Sequence, residues 1–421
     1  MEIIHQYGAI FLIIAIVFGL FMTWGIGAND VANALGTSVG SGALNVKTAI
    51  AVAAIFEFLG ALLAGQHVTR TIRKGIIDPG GIESTPEVLV YGMLAALLAA
   101  AIWLLIASIK GWPVSTTHSI VGAIVGFGIV GIGFDSVQWS KIGSIVASWV
   151  VSPVLGGAAA FVLMMSLQRL ILDTPTPLRN AHKWAPVYLF LVGFVVSLVT
   201  LIKGLKHLKL ELDFTGSLIL SVLIGLAVLA VGKARIRRVG VDDTTDQVSQ
   251  HERVEKIFAP MIIFTACAMA FAHGSNDVAN GIGPLAAVYG LVQSGGEVAQ
   301  KSAVPIWILV LGGAGIVLGL ATYGYRVMQT IGRKITDLTP TRAFCATISA
   351  ALTVILASRI GLPVSTTHIA VGAVIGVGLA RGIAALNLAV VTRIIVSWIT
   401  TLPVAGVLAA IIFFTLKGIF S

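Results

Sequence analysis

The segment PVSTTHSIVGAIVG occupies Pro113–Gly126, and PVSTTHIAVGAVIG occupies Pro363–Gly376. The same polar run, Ser-Thr-Thr-His, thus stands twice inside long apolar surroundings. Proline cannot extend a preceding helix and biases the residue before it toward extended backbone. Ser and Thr are favoured helix N-caps. The residues after each run are apolar, with Gly122/Gly126 and Gly372/Gly376 at the spacing that lets helices approach closely. Each tract therefore predicts a chain break and then a short helix, too short and too glycine-rich for an ordinary span.

The surroundings define the solvent. Of 421 residues, 57% are hydrophobic and 11% charged, far fewer charges than the roughly 25% of soluble domains. Apolar runs long enough to cross a bilayer, roughly 20 residues in a helix, include Gly8–Ile26, Val88–Ile109, Phe214–Gly232, Val304–Tyr325 and Leu388–Leu416. Window hydropathy gives about ten such segments. The expected fold class is an all-α polytopic membrane protein with broken helices and re-entrant hairpins. The first apolar stretch has no basic leader and no small-residue cleavage site, so it reads as a retained helix. The net charge of +9 lies mostly in short loops without basic–aromatic interleaving, which argues against a nucleic-acid partner. Cys267 and Cys345 stand in apolar segments with no metal or disulfide spacing and read as small hydrophobes.

The repeat extends beyond the tracts. Gly27-Ala28-Asn29-Asp30-Val31-Ala32-Asn33 returns as Gly274-Ser275-Asn276-Asp277-Val278-Ala279-Asn280. Asp30 precedes His118 by 88 residues and Asp277 precedes His368 by 91, and Ser148-Trp149 with Pro153 is echoed by Ser397-Trp398 with Pro403. The chain is an internal duplication. The expected organisation is an N-terminal membrane repeat over residues 1–232, a polar linker over 233–257 and a C-terminal membrane repeat over 258–421. The linker's KARIRR cluster beside a membrane helix predicts the cytoplasmic side. Further basic residues at Arg70, Arg73, Lys74, Lys203, Lys206, Lys209, Arg326, Arg333 and Lys334 cannot all face one side by simple alternation of spans. Some segments must be re-entrant or broken, or the bias is locally overridden.

The polar residues indicate the chemistry. A helix N-terminus offers free N–H groups and partial positive charge, an anion site. Interrupted hydrophobic segments at matching positions of two halves point to a transporter's substrate site, whereas capping alone is the structural alternative. On a helix, Asn29, Asp30 and Asn33 can share a face. A carboxylate with carboxamide oxygens suits a small hard cation or a proton, against the alternative of N-capping. His118 and His368 are candidates for proton carriage, metal ligation or a structural hydrogen bond. Glu57 lies in an apolar run with no acidic counterpart in the other half, and either lines the pathway or is paired structurally. Lys110 and Arg359, just before the tracts, either snorkel to the interface or steer an anion.

Together these residues resemble the inorganic phosphate transporter (PiT) family of secondary carriers, over essentially the full chain. The resemblance implies inverted repeats, one central phosphate site built from both halves, import across the plasma (inner) membrane coupled to Na⁺ or H⁺ symport, and a homodimer, with no cofactor. On this resemblance Ser115, Thr116, Thr117, Ser365, Thr366, Thr367, Asn29 and Asn276 are similar to phosphate ligands. Asp30, Asn33, Asp277 and Asn280 are similar to cation ligands, with Na⁺ at Asp30 and Asp277 under sodium coupling. His118, His368 and Glu57 remain pathway or coupling candidates. Two departures stand out: some relatives have the acidic residue in both halves, and some insert a long hydrophilic domain where this linker is short.

No Arg or Lys lies within the four motif runs. Phosphate must then be held by N–H groups, hydroxyls, amides and co-bound cations, and it would be repelled by Asp30 and Asp277 unless these are neutralised. That repulsion predicts coupled binding of anion and cation. Sulfate and a divalent-metal–phosphate complex are alternative cargoes. Sulfate carries no proton at neutral pH, whereas phosphate can donate a hydrogen bond to a carboxylate. A channel needs sites in a row, and a hydrolase using Ser115 or Ser365 lacks a group to orient the neighbouring His. The sequence therefore predicts a carrier rather than an enzyme.

Overall fold

The computed structural model describes the chain apart from residues 1, 67, 70–71, 73–75, 78–84, 205–212, 241–245, 298–303, 326, 329–331, 333 and 421. Arg70, Arg73, Lys74, Lys206, Lys209, Arg326 and Arg333, the side chains of Lys203 and Arg359, and part of the 233–257 linker lie outside the described residues. Among the described residues, twelve α-helices run in order: α1 Glu2–Gly40, α2 Val46–Ala64, α3 Pro86–Lys110, α4 Thr116–Gly131, α5 Trp139–Leu167, α6 Pro177–Gly204, α7 Phe214–Ile236, α8 Gln247–Gln293, α9 Ile306–Tyr323, α10 Pro340–Arg359, α11 Thr366–Ala380 and α12 Leu388–Phe420. Ten are long and apolar enough to cross a membrane, and the two shorter apolar ones are α4 and α11. Outward faces such as Val150, Val154 and Val162 of α5, or Ile399 and Val407 of α12, are more than half exposed. Such apolar surface suits lipid rather than water.

The tracts fold as their sequence predicts. Gly111 and Gly361, at φ 66° and 72°, stop α3 and α10 in a left-handed conformation that glycine adopts without strain. An extended stretch comes next, and Ser115 and Ser365 then cap α4 and α11 by accepting from the N–H of His118 and of His368, each at 3.2 Å. The capping alternative fails for the GxNDVAN runs. They lie well inside α1, 39 residues long, and α8, 47 residues long, not at helix starts.

Helices α1–α5 correspond in order to α8–α12, while the hairpin α6–α7 has no counterpart. The halves are not packed side by side. Helix α4 rests on α12 of the other half, and α11 rests on α5. These crossings use the tract glycines: a Cβ on Gly126 would lie 2.4 Å from Gly406 O, and one on Gly376 would lie 2.0 Å from Gly157 O. The long helices cross in the same reciprocal way, α1 over α9 and α8 over α2. A Cβ at Gly27 would lie 1.9 Å from Ile316 O, and one at Gly274 would lie 2.2 Å from Glu57 O. These helix crossings between the halves are reciprocal. Both apolar cores draw on both halves, with α1 and α8 threading through each.

Because backbone carbonyls line these crossings, no side chain can swing aside to admit a methyl group. Gly27→Ala and Gly274→Ala are each expected to lower stability by about 1–3 kcal/mol or more. Gly143→Ala, where nothing lies within 4 Å of the added carbon, should not. Thermal unfolding of the detergent-purified variants checks this.

Candidate functional site

The four motif runs meet at the centre of the bundle, where every residue of the candidate site is at most 4% exposed. Each carboxylate is gripped by its own half's tract. Thr116 Oγ1 donates to Asp30 Oδ2 at 2.7 Å, and Thr366 Oγ1 donates to Asp277 Oδ2 at 2.6 Å. The next threonine of each tract reaches across to the other half: Thr117 Oγ1 donates to Val364 O at 3.0 Å, and Thr367 Oγ1 lies 3.2 Å from Val114 O. Thr367 Oγ1 also lies 3.3 Å from Asp30 Oδ1. The carboxamides cross as well. Asn33 Nδ2 donates to Thr367 Oγ1 at 2.9 Å, and Asn280 Nδ2 lies 3.2 Å from the hydroxyls of both Thr116 and Thr117. The sequence-predicted residues of both halves therefore form one network.

Asn29 and Asn276 have a different part in it. Asn29 Nδ2 donates to Trp112 O at 3.0 Å and meets Ser108 Oγ at 3.2 Å, while its Oδ1 accepts from Val114 N at 3.2 Å. The Asn276 amide likewise meets Ser358 Oγ at 3.0 Å. These asparagines bolt the extended segments before each tract onto α1 and α8. By contrast, Asn33 Oδ1 and Asn280 Oδ1 are buried without a hydrogen-bond partner among the described residues. Buried carbonyl oxygens are seldom left so. Both oxygens are candidate acceptors for a ligand.

His118 and His368 sit just beyond. His118 Nδ1 lies 3.3 Å from Trp398 O, and His368 Nδ1 lies 3.2 Å from Trp149 O. A carbonyl only accepts, so both Nδ1 atoms carry hydrogen. The rings are 4.4 Å apart and packed on Trp149 and Trp398, at 3.7 and 3.6 Å between centroids. Four rings thus close the network on one side. Ser148-Trp149 and Ser397-Trp398 were legible as repeat landmarks, but not as partners of the histidines.

One departure from the correspondence between the halves is a buried polar pair. His273 Nε2 lies 2.9 Å from Asp277 Oδ2, and its Nδ1 lies 3.1 Å from Glu57 Oε1, all fully buried. Carboxylates accept only and a neutral imidazole has a single N–H, so holding both contacts takes a second hydrogen, on the ring or on one of the carboxyl groups. Glu57 is therefore paired structurally, and its partner His273 was missed by sequence reasoning. The crossings identify the counterparts in the other half: Gly27 and Gly274 correspond, as do Gly60 and Gly319, which places Ile26 opposite His273 and Ile316 opposite Glu57. One crossing between the halves carries the Glu57–His273 pair where the corresponding crossing carries two isoleucines. The ligand atoms of Asp30, His273 and Asp277 lie within 4.8 Å of one another.

Among the described residues, ten helices long and apolar enough to cross a membrane, with duplicated motifs meeting in one buried network, match the construction of a secondary transporter. The model of the phosphate transporter family matches residues 26–409. A Haemophilus influenzae homologue named a phosphate permease is 51% identical, with both chains covered in full. The Arabidopsis thaliana protein named inorganic phosphate transporter 2-1, chloroplastic, is 43% identical over 94% of this chain and 70% of its own. A solved structure of a sodium-dependent phosphate transporter superposes with a TM-score of 0.89 at 41% identity, covering 97% of this chain and 99% of the other. The chain belongs to the phosphate transporter family and is a transport protein, not an enzyme.

Removing one partner of a buried ion pair strands the other charge, typically at about 3–5 kcal/mol. His273→Ile alone is therefore expected to destabilise the protein severely. Because Ile26 and Ile316 already fill the equivalent positions, the double variant His273→Ile/Glu57→Ile should recover much of that loss. Melting curves of the two single variants and the double variant measure the coupling.

Proposed function

We propose that the protein imports inorganic phosphate across the plasma (inner) membrane by sodium symport, with alternating access around one site shared by the two repeats. The observation that carries this reading is the pair of hydrogen bonds from Thr116 to Asp30 and from Thr366 to Asp277. A threonine hydroxyl has one hydrogen to give. While it is given to a carboxylate, it cannot serve a phosphate oxygen. A cation that takes over the carboxylate both cancels the negative charge and releases the hydroxyl toward the anion. Cation and phosphate then bind together, each raising the affinity for the other.

In this reading Na⁺ sits at Asp30 with Asn33 and at Asp277 with Asn280, where the unpartnered Oδ1 atoms of the two asparagines complete an all-oxygen set. Sodium rather than a proton is favoured by those oxygens and by the name of the superposed structure. Phosphate lies between the opposed starts of α4 and α11, held by the hydroxyls of Ser115, Thr116, Thr117, Ser365, Thr366 and Thr367 and by the helix N–H groups. Asn29 and Asn276 support this pocket by fixing the segments that lead into it. His118 and His368, with their Nε2 atoms free and their rings clasped by tryptophans, lie on the pathway as part of its closure. Inverted repeats that rock against each other would open this closure to one side at a time.

A metal–phosphate complex as cargo is the second reading. It is favoured by the clustering of Asp30, His273 and Asp277 ligand atoms within 4.8 Å, since carboxylate with imidazole suits divalent transition ions. Uptake that needs a divalent ion and stops with a chelator would select it.

The decisive experiment is uptake of labelled phosphate into proteoliposomes with Na⁺ and pH gradients imposed separately. An inward Na⁺ gradient should drive accumulation, and Asp30→Asn or Asp277→Asn should abolish it in protein that remains folded. Unchanged accumulation in either variant removes that carboxylate from the coupling. The shared site makes a separate prediction. Thr117→Ala and Thr367→Ala should each weaken one binding event by about 1.5–3 kcal/mol, on the order of ten- to a hundredfold. Two independent sites would instead give half-stoichiometry at wild-type affinity in an equilibrium titration.

A further inference from the structure

Next to the first tract lies a cavity of about 380 Å³ whose lining includes Lys110, Trp112, Pro113, Lys334, Arg393 and Ser397. Three of its walls carry a cation and none carries a carboxylate. The three basic side chains come from separate places in the fold: the last residue of α3, the stretch before α10, and the second turn of α12. All three are exposed. None makes an ion pair among the described residues. Lys110 Nζ instead lies over the Trp112 ring, 4.5 Å from its centroid. Three unpaired cations gathered around one concavity repel each other and gain nothing for stability. A concave surface of one charge sign focuses the field on an approaching counter-ion.

The structure behind the cavity gives that field a purpose. Trp112 and Pro113 form its wall, and on the far side of that wall Trp112 O accepts from Asn29 Nδ2 while Val114 N donates to Asn29 Oδ1. Ser397 lines the cavity too, and the next residue, Trp398, holds His118 through its carbonyl. The segment 112–114 and Ser397-Trp398 thus link the lining of the cavity to Asn29, the neighbour of Asp30, and to His118. The network itself has no basic residue in its motif runs, so it cannot attract a dianion over distance.

We propose that this cavity is the mouth through which phosphate reaches the buried site, with Lys110, Lys334 and Arg393 as its steering cations. The proposal rests on the phosphate reading of the buried site. It adds a separable function: capture by long-range charge at the mouth, and retention by hydroxyls and co-bound cations inside. Charges at a rim act on the association rate and its salt dependence rather than on dissociation.

The test measures association and dissociation rates of labelled phosphate on the purified full-length protein in detergent, across ionic strength. The variant carries Lys110→Gln, Lys334→Gln and Arg393→Gln together. Association at low salt should fall on the order of tenfold and its salt dependence should flatten. The dissociation rate should stay at the wild-type value. The charge-conserving set Lys110→Arg, Lys334→Arg and Arg393→Lys should restore both the rate and the salt dependence. An association rate and salt slope unchanged by the neutral variant would overturn the proposal. So would a faster dissociation at an unchanged association rate, which would make the cations ligands of the bound ion. A third overturning result is unchanged phosphate kinetics with loss of co-purified phosphatidylglycerol by native mass spectrometry, which would assign the cavity to a lipid headgroup. Failure of the phosphate reading itself is distinct, because the wild-type protein would then bind no phosphate at any salt.

Discussion

Two carboxylates buried in an apolar bundle, with no basic residue in the runs that carry them, govern this structure. A charge taken out of water costs several kcal/mol unless neighbours satisfy it. Asp30 and Asp277 find those neighbours in threonine hydroxyls from the tracts that start α4 and α11. The hydroxyls can reach them only because the helices are broken at that depth, and irregular backbone there is tolerated where protein encloses it. The unwound segments are in turn satisfied by Asn29, by the Asn276 amide, which reaches Leu362 O at 3.4 Å, and by threonines of the opposite half. The polar groups of either half would be left incomplete without the other.

The interlocking of the repeats arises from this need. Helix α4 packs on α12 and α11 on α5, each across the boundary between halves, through glycines that bring backbones into contact. A site made this way is enclosed by construction, and access requires one set of crossings to shift. The departure from symmetry at His273 and Glu57 means that the two carboxylates are not equivalent. Asp277 has an imidazole nitrogen 2.9 Å from one oxygen, at a position where Asp30 has Ile26.

Much of this was legible in the chain. The proline, serine and threonine of each tract announced the break and the cap, the paired glycines announced close crossings, and the duplicated Asn-Asp runs announced the residues that the fold joins in one network. Capping was a fair alternative for Asn29 and Asp30 on local grounds. It failed because α1 continues unbroken through them, which apolar residues on both sides allow. The part that stayed hidden depends on contacts between distant residues. Glu57 meets His273 across 216 positions of sequence, and nothing near Glu57 names its partner. The one available signal was the mismatch between Ile26 and His273 at the head of otherwise matching runs. The stacking of Trp149 on His118 and of Trp398 on His368 depends likewise on how α5 and α12 approach the tracts, which no local pattern encodes.

The central claim is that a threonine hydroxyl serves the carboxylate until a cation releases it to the anion, so that cation and phosphate bind as a pair. Equilibrium titration of phosphate into the purified protein at a series of Na⁺ concentrations, paired with titration of Na⁺ at a series of phosphate concentrations, tests it most directly. The account predicts that Na⁺ tightens phosphate binding and that phosphate tightens Na⁺ binding by the same factor. A phosphate affinity independent of Na⁺ would contradict it.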